Sequence, residues 1–123
     1  MSPVVLQLAP VCADAFYVAC DDRDRWATLP EFKRVTFRQM TADALDAARL
    51  QRRGGVELNM LVARALSDAF LNRADCPDWL RRRYDWFTGY GREHARPIWL
   101  ATAEALIAAG RELRARQHAA RAA

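Results

Sequence analysis

Lysine is almost missing from this chain: Lys33 is the only one, against eighteen arginines. Alanine fills 24 of the 123 positions. Both residues have GC-rich codons, so a GC-rich genome would give the same skew on any solvated surface. The net charge of +4 is therefore weak evidence for a nucleic-acid partner. Long apolar runs are also missing. None approaches the ~20 residues that a membrane-spanning helix needs, so no membrane partner is expected. Cysteine is scarce and unpatterned. Cys12, Cys20 and Cys76 form no C-x-x-C pair and are odd in number, which argues against a disulfide framework or a thiolate metal site. They read as small buried or half-buried thiols in a reducing compartment.

Catalytic signals are equally thin. Gly89-Tyr90-Gly91 lacks the lysine and the flanking pattern of a phosphate-cradling loop. His94 and His118 have no adjacent cysteine or serine arrangement of the kind that activates a nucleophile. Asp21, Asp22 and Asp24 alternate with arginines, as in a self-paired solvated loop, and no further ligands stand at metal-binding spacing. No catalytic residue, metal or cofactor is expected, and the chain reads as non-enzymatic. Val4 to Ala19 is fairly apolar, and Tyr17-Val18-Ala19-Cys20 loosely resembles a lipoprotein cleavage box. No Lys or Arg precedes the segment, however, as a signal peptide would require. The expected location is cytoplasmic.

What is present is helical periodicity in a chain of one-domain length. Residues 1–10 read as a short strand or extended arm bracketed by Pro3 and Pro10. A helix is expected from Val11 to about Asp21, and a short one from Pro30 to about Arg38 that buries Phe32, Val35 and Phe37. Thr41 is the expected N-cap of a third helix through Arg53, stopped by Gly54-Gly55. Val56 to about Arg73 is apolar around most of its circumference, which predicts a central core helix. Asp75 and Pro77 open the next helix, which Gly89 and Gly91 end, and Pro97 opens the last. Residues 114–123 are polar and expected to fray. The fold class is an all-α compact bundle of about five or six helices in a single domain, 1–123.

Two surfaces are candidates for function. The first is the run from Trp79 to Tyr90, in which aromatics interleave with arginines. Leu80, Tyr84 and Phe87 are assigned to the core, with Arg81 and Asp85 as an outer i,i+4 pair. Trp79, Arg83, Trp86 and Tyr90, with Arg82 at the rim, form the expected protein-binding flank, since Trp, Tyr and Arg dominate binding hot spots. The second is a cationic stripe on the last helix: Arg111, Arg114, His118 and Arg121, at steps of three, four and three. With Arg81, Arg82 and Arg83 it is the alternative, nucleic-acid-binding set, although basic groups near a helix C-terminus are favoured by the dipole alone. Asp43 to Arg53, the glycine pair and Val56 onward have the outline of a helix-turn-helix. An apolar second helix suits an ordinary helical hairpin better.

The expected function is a protein-binding module: an adaptor, inhibitor or accessory subunit. In size and style it is similar to small helical proteins of phages and other mobile elements, and the likeness extends no further than that. The alternative is a basic nucleic-acid-associated protein, such as a small ribonucleoprotein subunit or DNA-binding regulator. A homodimer closed by the aromatic flank is a third expectation.

Overall fold

The computed structural model describes residues 1–49, 56–73, 75–86 and 89–122. Among them are five α-helices: α1 (Pro3–Ala19), α2 (Glu31–Arg49), α3 (Val56–Leu71), α4 (Asp78–Tyr84) and α5 (Gly89–Ala122). A single 3₁₀ turn, Trp26–Thr28, joins α1 to α2. The architecture is the expected all-α bundle. The expected termini of several elements are not where the structure puts them.

The extended arm is a helix. Ser2 caps it by accepting from the Val5 N–H at 3.3 Å, and Pro3 occupies the first turn, where its missing N–H costs nothing. Pro10 lies inside α1 and removes one helical hydrogen bond. The helix persists because Val5, Leu8, Ala9, Cys12, Ala13 and Phe16 put one continuous face into the core. Its end is a two-bond cap. Asp22 N–H donates to the Tyr17 carbonyl at 2.9 Å and Asp21 N–H to Val18 at 3.0 Å, with Asp21 at φ 57°. This is the left-handed C-terminal turn usually given to glycine.

The two helices expected across residues 30–53 are one. Thr41 is fully buried inside α2, and its hydroxyl donates to the Phe37 carbonyl at 2.7 Å instead of capping. Phe37, Met40, Thr41 and Ala44 form the buried face. Continuous phasing at 100° per residue turns positions 32 and 35 to the far side, so Phe32 is 66% exposed and Val35 is exposed too. The assignment of both to the core is thereby corrected. The expected end of this helix at Gly54-Gly55 lies outside the described residues.

Helix α3 is not the all-round core element either. Val62, Ala63, Leu66, Ser67 and Phe70 are buried, while Met60 and Leu61 on the opposite side are exposed. The helix packs mainly against α2 and α5, and also touches α4. Helix α5 packs against α1, α3 and α4, with its largest interface on α1. Pro97 does not open α5 but sits inside it, and Gly89 and Gly91 start this helix instead of ending the one before. Residues 114–122 continue as helix, exposed on every side. Helices α2 and α3 pack against each other.

The core has two characters. At one end Phe16 is a hub, with ring centroids 5.1 Å from Trp99, 5.6 Å from Phe70 and Tyr84, and 5.8 Å from Phe37. Trp99 is completely buried, and its indole N–H donates to the Tyr84 carbonyl at 3.1 Å. At the other end Leu8, Ala44, Val62 and Leu106 pack without any ring.

Candidate functional site

Above the aromatic end lies an open groove of about 520 Å³, bounded by the C-terminal end of α1, the first half of α2, and α4. Phe16, Phe37, Phe70 and Tyr84 form its floor, with Tyr17 and Leu80 half-buried on its sides. Phe32 stands on one rim and Trp79 on the other, each 66% exposed. Two large aromatic side chains are thus held in water across one apolar-floored cleft. Charge around the cleft is mixed. Lys33 and Arg83 line it, as do Asp22, Asp24 and an Arg73–Asp75 ion pair at 3.1 Å.

Several polar contacts tie together the elements around the cleft. Asp14 accepts from the Trp26 N–H at 2.8 Å, which fixes the 3₁₀ turn on α1. Arg34 donates to the Trp26 carbonyl at 3.1 Å, and its guanidinium lies 5.1 Å from the indole centroid. The Arg73 guanidinium covers the Phe70 ring at 4.4 Å. Burial pushes the Tyr17 phenol up to about 12, with Asp24 and Asp22 adding to the shift. Burial does the same to Tyr84, also to about 12, helped by its contact with Cys20. Sγ of Cys20 and the Tyr84 hydroxyl are 3.6 Å apart. Both phenols are therefore neutral near pH 7, so the cleft offers hydroxyls and ring faces and no tyrosinate.

The expected protein-binding set is divided by the structure. Trp79 and Arg83 line the cleft, and Arg82 is exposed on the same short helix. Trp86 is corrected: it is 4% exposed, a core residue beyond the end of α4. Arg96 holds it there by donating to its carbonyl at 3.0 Å, with the guanidinium 5.1 Å from the ring centroid. The sequence places Trp86 on the flank of one long helix. Helix α4 ends at Tyr84, and Trp86 turns inward past that end instead. Tyr90 belongs to the first turn of α5, while its side chain, like all of Phe87, lies outside the described residues. Arg81 donates to the Arg73 carbonyl at 3.4 Å, and Asp85 stands past the end of α4. Phe32 is the rim residue that sequence reasoning misses. Its signal is the α2 phasing, which is readable once Thr41 is taken as interior.

The alternative cationic set is also divided. Arg111, Arg114, His118 and Arg121 are all exposed on the last turns of α5. Arg81, Arg82 and Arg83 lie on α4, whose junction with α5 is at Trp99. Trp99 and Arg111 are twelve residues apart, so the groups are separated by about 18 Å along the axis at 1.5 Å per residue. They form two patches. Cys12 and Cys76 are buried and Cys20 half-buried, all as free thiols. Burial pushes Cys12 to about 12 against a lowering hydrogen bond from Thr41.

Among the described residues no group of three His, Cys, Asp or Glu could hold a metal ion. No helix among them is long and apolar enough to cross a membrane. Comparison with protein-family models, with curated proteins and with solved structures gives no match to this chain.

Proposed function

We propose that this protein is a non-enzymatic binding module that grips a segment of a partner protein in the α1–α2–α4 cleft. The observation that carries the reading is the pair Phe32 and Trp79, both two-thirds exposed on facing rims of one aromatic-floored groove. Exposed aromatics cost hydration free energy unless something covers them. Rigid aromatic anchors beside an arginine are the composition of protein hot spots. Arg83 and Lys33 supply polar contacts at the edge, with Arg82 further out. The module acts by occluding or bridging its partner and supplies no chemistry of its own.

The nucleic-acid reading has less support, because its arginines stand in two separate patches. It predicts binding to generic DNA or RNA that weakens steeply between low and moderate salt. A fluorescence-polarisation titration measures that directly, and tight salt-sensitive binding would displace the present proposal. The homodimer expectation predicts a mass that falls on dilution, measurable by light scattering.

The proposal is tested with a photo-crosslinking side chain placed at Lys33 or Arg83, on the rim, and at Arg116, far along α5. Expected are adducts of one defined mass from the rim positions alone, lost in Trp79→Ala and in Phe32→Ala. Equal adducts from Arg116, or adducts indifferent to both alanine changes, would refute it.

A further inference from the structure

A second groove opens at the opposite, aliphatic end of the bundle, away from the cleft just described. All four long helices contribute to it, and it holds about 410 Å³. Its base is buried Leu8, Ala44, Val62 and Leu106. The sides are half-buried apolar groups, among them Leu45, Leu58 and Ile107. Among the described residues, the only ionisable groups that line it are Arg49, Arg111 and Arg114. Arg111 and Arg114 are one turn apart on α5, and all three arginines are exposed. No ion pair of Arg111 or Arg114 is formed among the described residues, while Arg49 meets Asp46 only loosely, at 3.7 Å with both side chains in solvent.

Small residues keep this space open. Ala44, Ala48 and Gly110 all face it. A Cβ built on Gly110 meets only Leu8 Cδ1, at an ordinary 3.9 Å. A larger side chain at 110 therefore has room to enter the groove. Glycine inside a helix is less stable than leucine there by about 1 kcal/mol.

We infer that this groove binds a single-chain fatty carboxylate, with the acyl chain over Leu8, Val62 and Leu106 and the head group on Arg111 and Arg114. An apolar tail matches the lining. A carboxylate matches a rim whose described residues include three guanidinium groups and no acid, and guanidinium pairs with carboxylate through two parallel hydrogen bonds. The groove is closed at its base by four helices, and its volume accommodates one small molecule. Arg49 on α2 adds a third positive charge beyond the pair on α5.

The test is calorimetric titration of the full chain with dodecanoate below its micelle concentration, with dodecylamine and dodecanol as parallel probes. One-to-one saturation by dodecanoate is expected. Binding should weaken at least about tenfold for dodecanol and for Arg111→Glu combined with Arg114→Glu, since each decade corresponds to about 1.4 kcal/mol. Dodecylamine should not saturate. Gly110→Leu plugs the groove and should abolish binding while the melting temperature holds or rises, which separates loss of site from loss of fold. Trp79→Ala should leave dodecanoate binding unchanged, so failure here and failure of the cleft proposal are distinguishable. No saturation by about 1 mM, the weak end of the affinity scale, would overturn the inference. So would equal affinity for dodecylamine, or dodecanoate binding that survives Gly110→Leu.

Discussion

The two ends of this bundle share its four long helices, with α4 added at one of them, and differ in almost everything else. At one end rings interlock: Phe16, Phe70, Tyr84 and Trp99 fill the interior, and two further aromatics are left over on the rim. At the other end alanine, glycine and branched aliphatics leave a hollow edged with arginine. The helices that carry Phe32 and Trp79 are seated on this ring cluster through Phe37 and Tyr84. Small residues let helices converge without filling the space between them. One end therefore exposes two aromatics above a packed floor, and the other leaves an open hollow.

The sharpest way to break that contrast is Trp99→Ala. It removes a completely buried indole and leaves the Tyr84 carbonyl without its donor. A loss of about 3–5 kcal/mol is expected, as for other buried large-to-alanine changes, read from the midpoint of urea unfolding. At the aliphatic end Leu106→Ala should cost less, about 2–3 kcal/mol, because the neighbouring hollow already exposes part of its surroundings. Equal costs would mean that the two ends are packed alike.

Titration distinguishes the interior from the surface. Cys12 is raised from 9.0 to about 12 by burial, so its neutral form stabilises the fold. That contribution is complete below pH 9, the ordinary thiol value, and is lost as pH rises toward about 12. Unfolding free energy should fall over this alkaline window, and Cys12→Ala should flatten the fall. Glu31, fully exposed, is lowered by its hydrogen bond from Arg38. Its contribution is present above the ordinary carboxylate range and lost as pH drops below it. Glu31→Gln should therefore alter stability near neutral pH and leave the acid limit unchanged.

Smaller effects probe the backbone at the ring end. Asp21 sits at φ 57°, where a Cβ is unfavourable, so Asp21→Gly should raise stability by about 0.5–1 kcal/mol in the same urea assay. Trp79→Ala should shift stability by less than about 0.5 kcal/mol, as for an exposed group outside the core. A larger loss would mean that Trp79 holds the fold together and is not available to a partner.

The helical class of the bundle is legible in the chain because amphipathic periodicity is a local property. The apolar face that continues from Val5 to Phe16, and the buried series Phe37, Met40, Thr41, Ala44, are both written at helical spacing. Local signals misled where two of them competed. Pro3 and Pro10 read as brackets of an extended arm, yet Ser2 and the core face make them part of a helix. Thr41 has the chemistry of a cap, and its burial turned that hydroxyl onto the Phe37 carbonyl. Trp79 and Arg83 were legible as surface candidates, whereas Trp86 was not distinguishable from them by composition.

Sequence by itself determined that this protein forms helices, where most of their apolar faces lie, and that arginine supplies nearly all of its positive charge. Tertiary structure alone decided which faces adjoin. It buried Trp86 under Arg96, set Phe32 across a cleft from Trp79, and placed Arg49 of α2 beside Arg111 and Arg114 of α5. The physical reason is one of range. A helix's periodicity depends on neighbours three and four residues away, while a groove is made by side chains whose meeting depends on how whole helices pack.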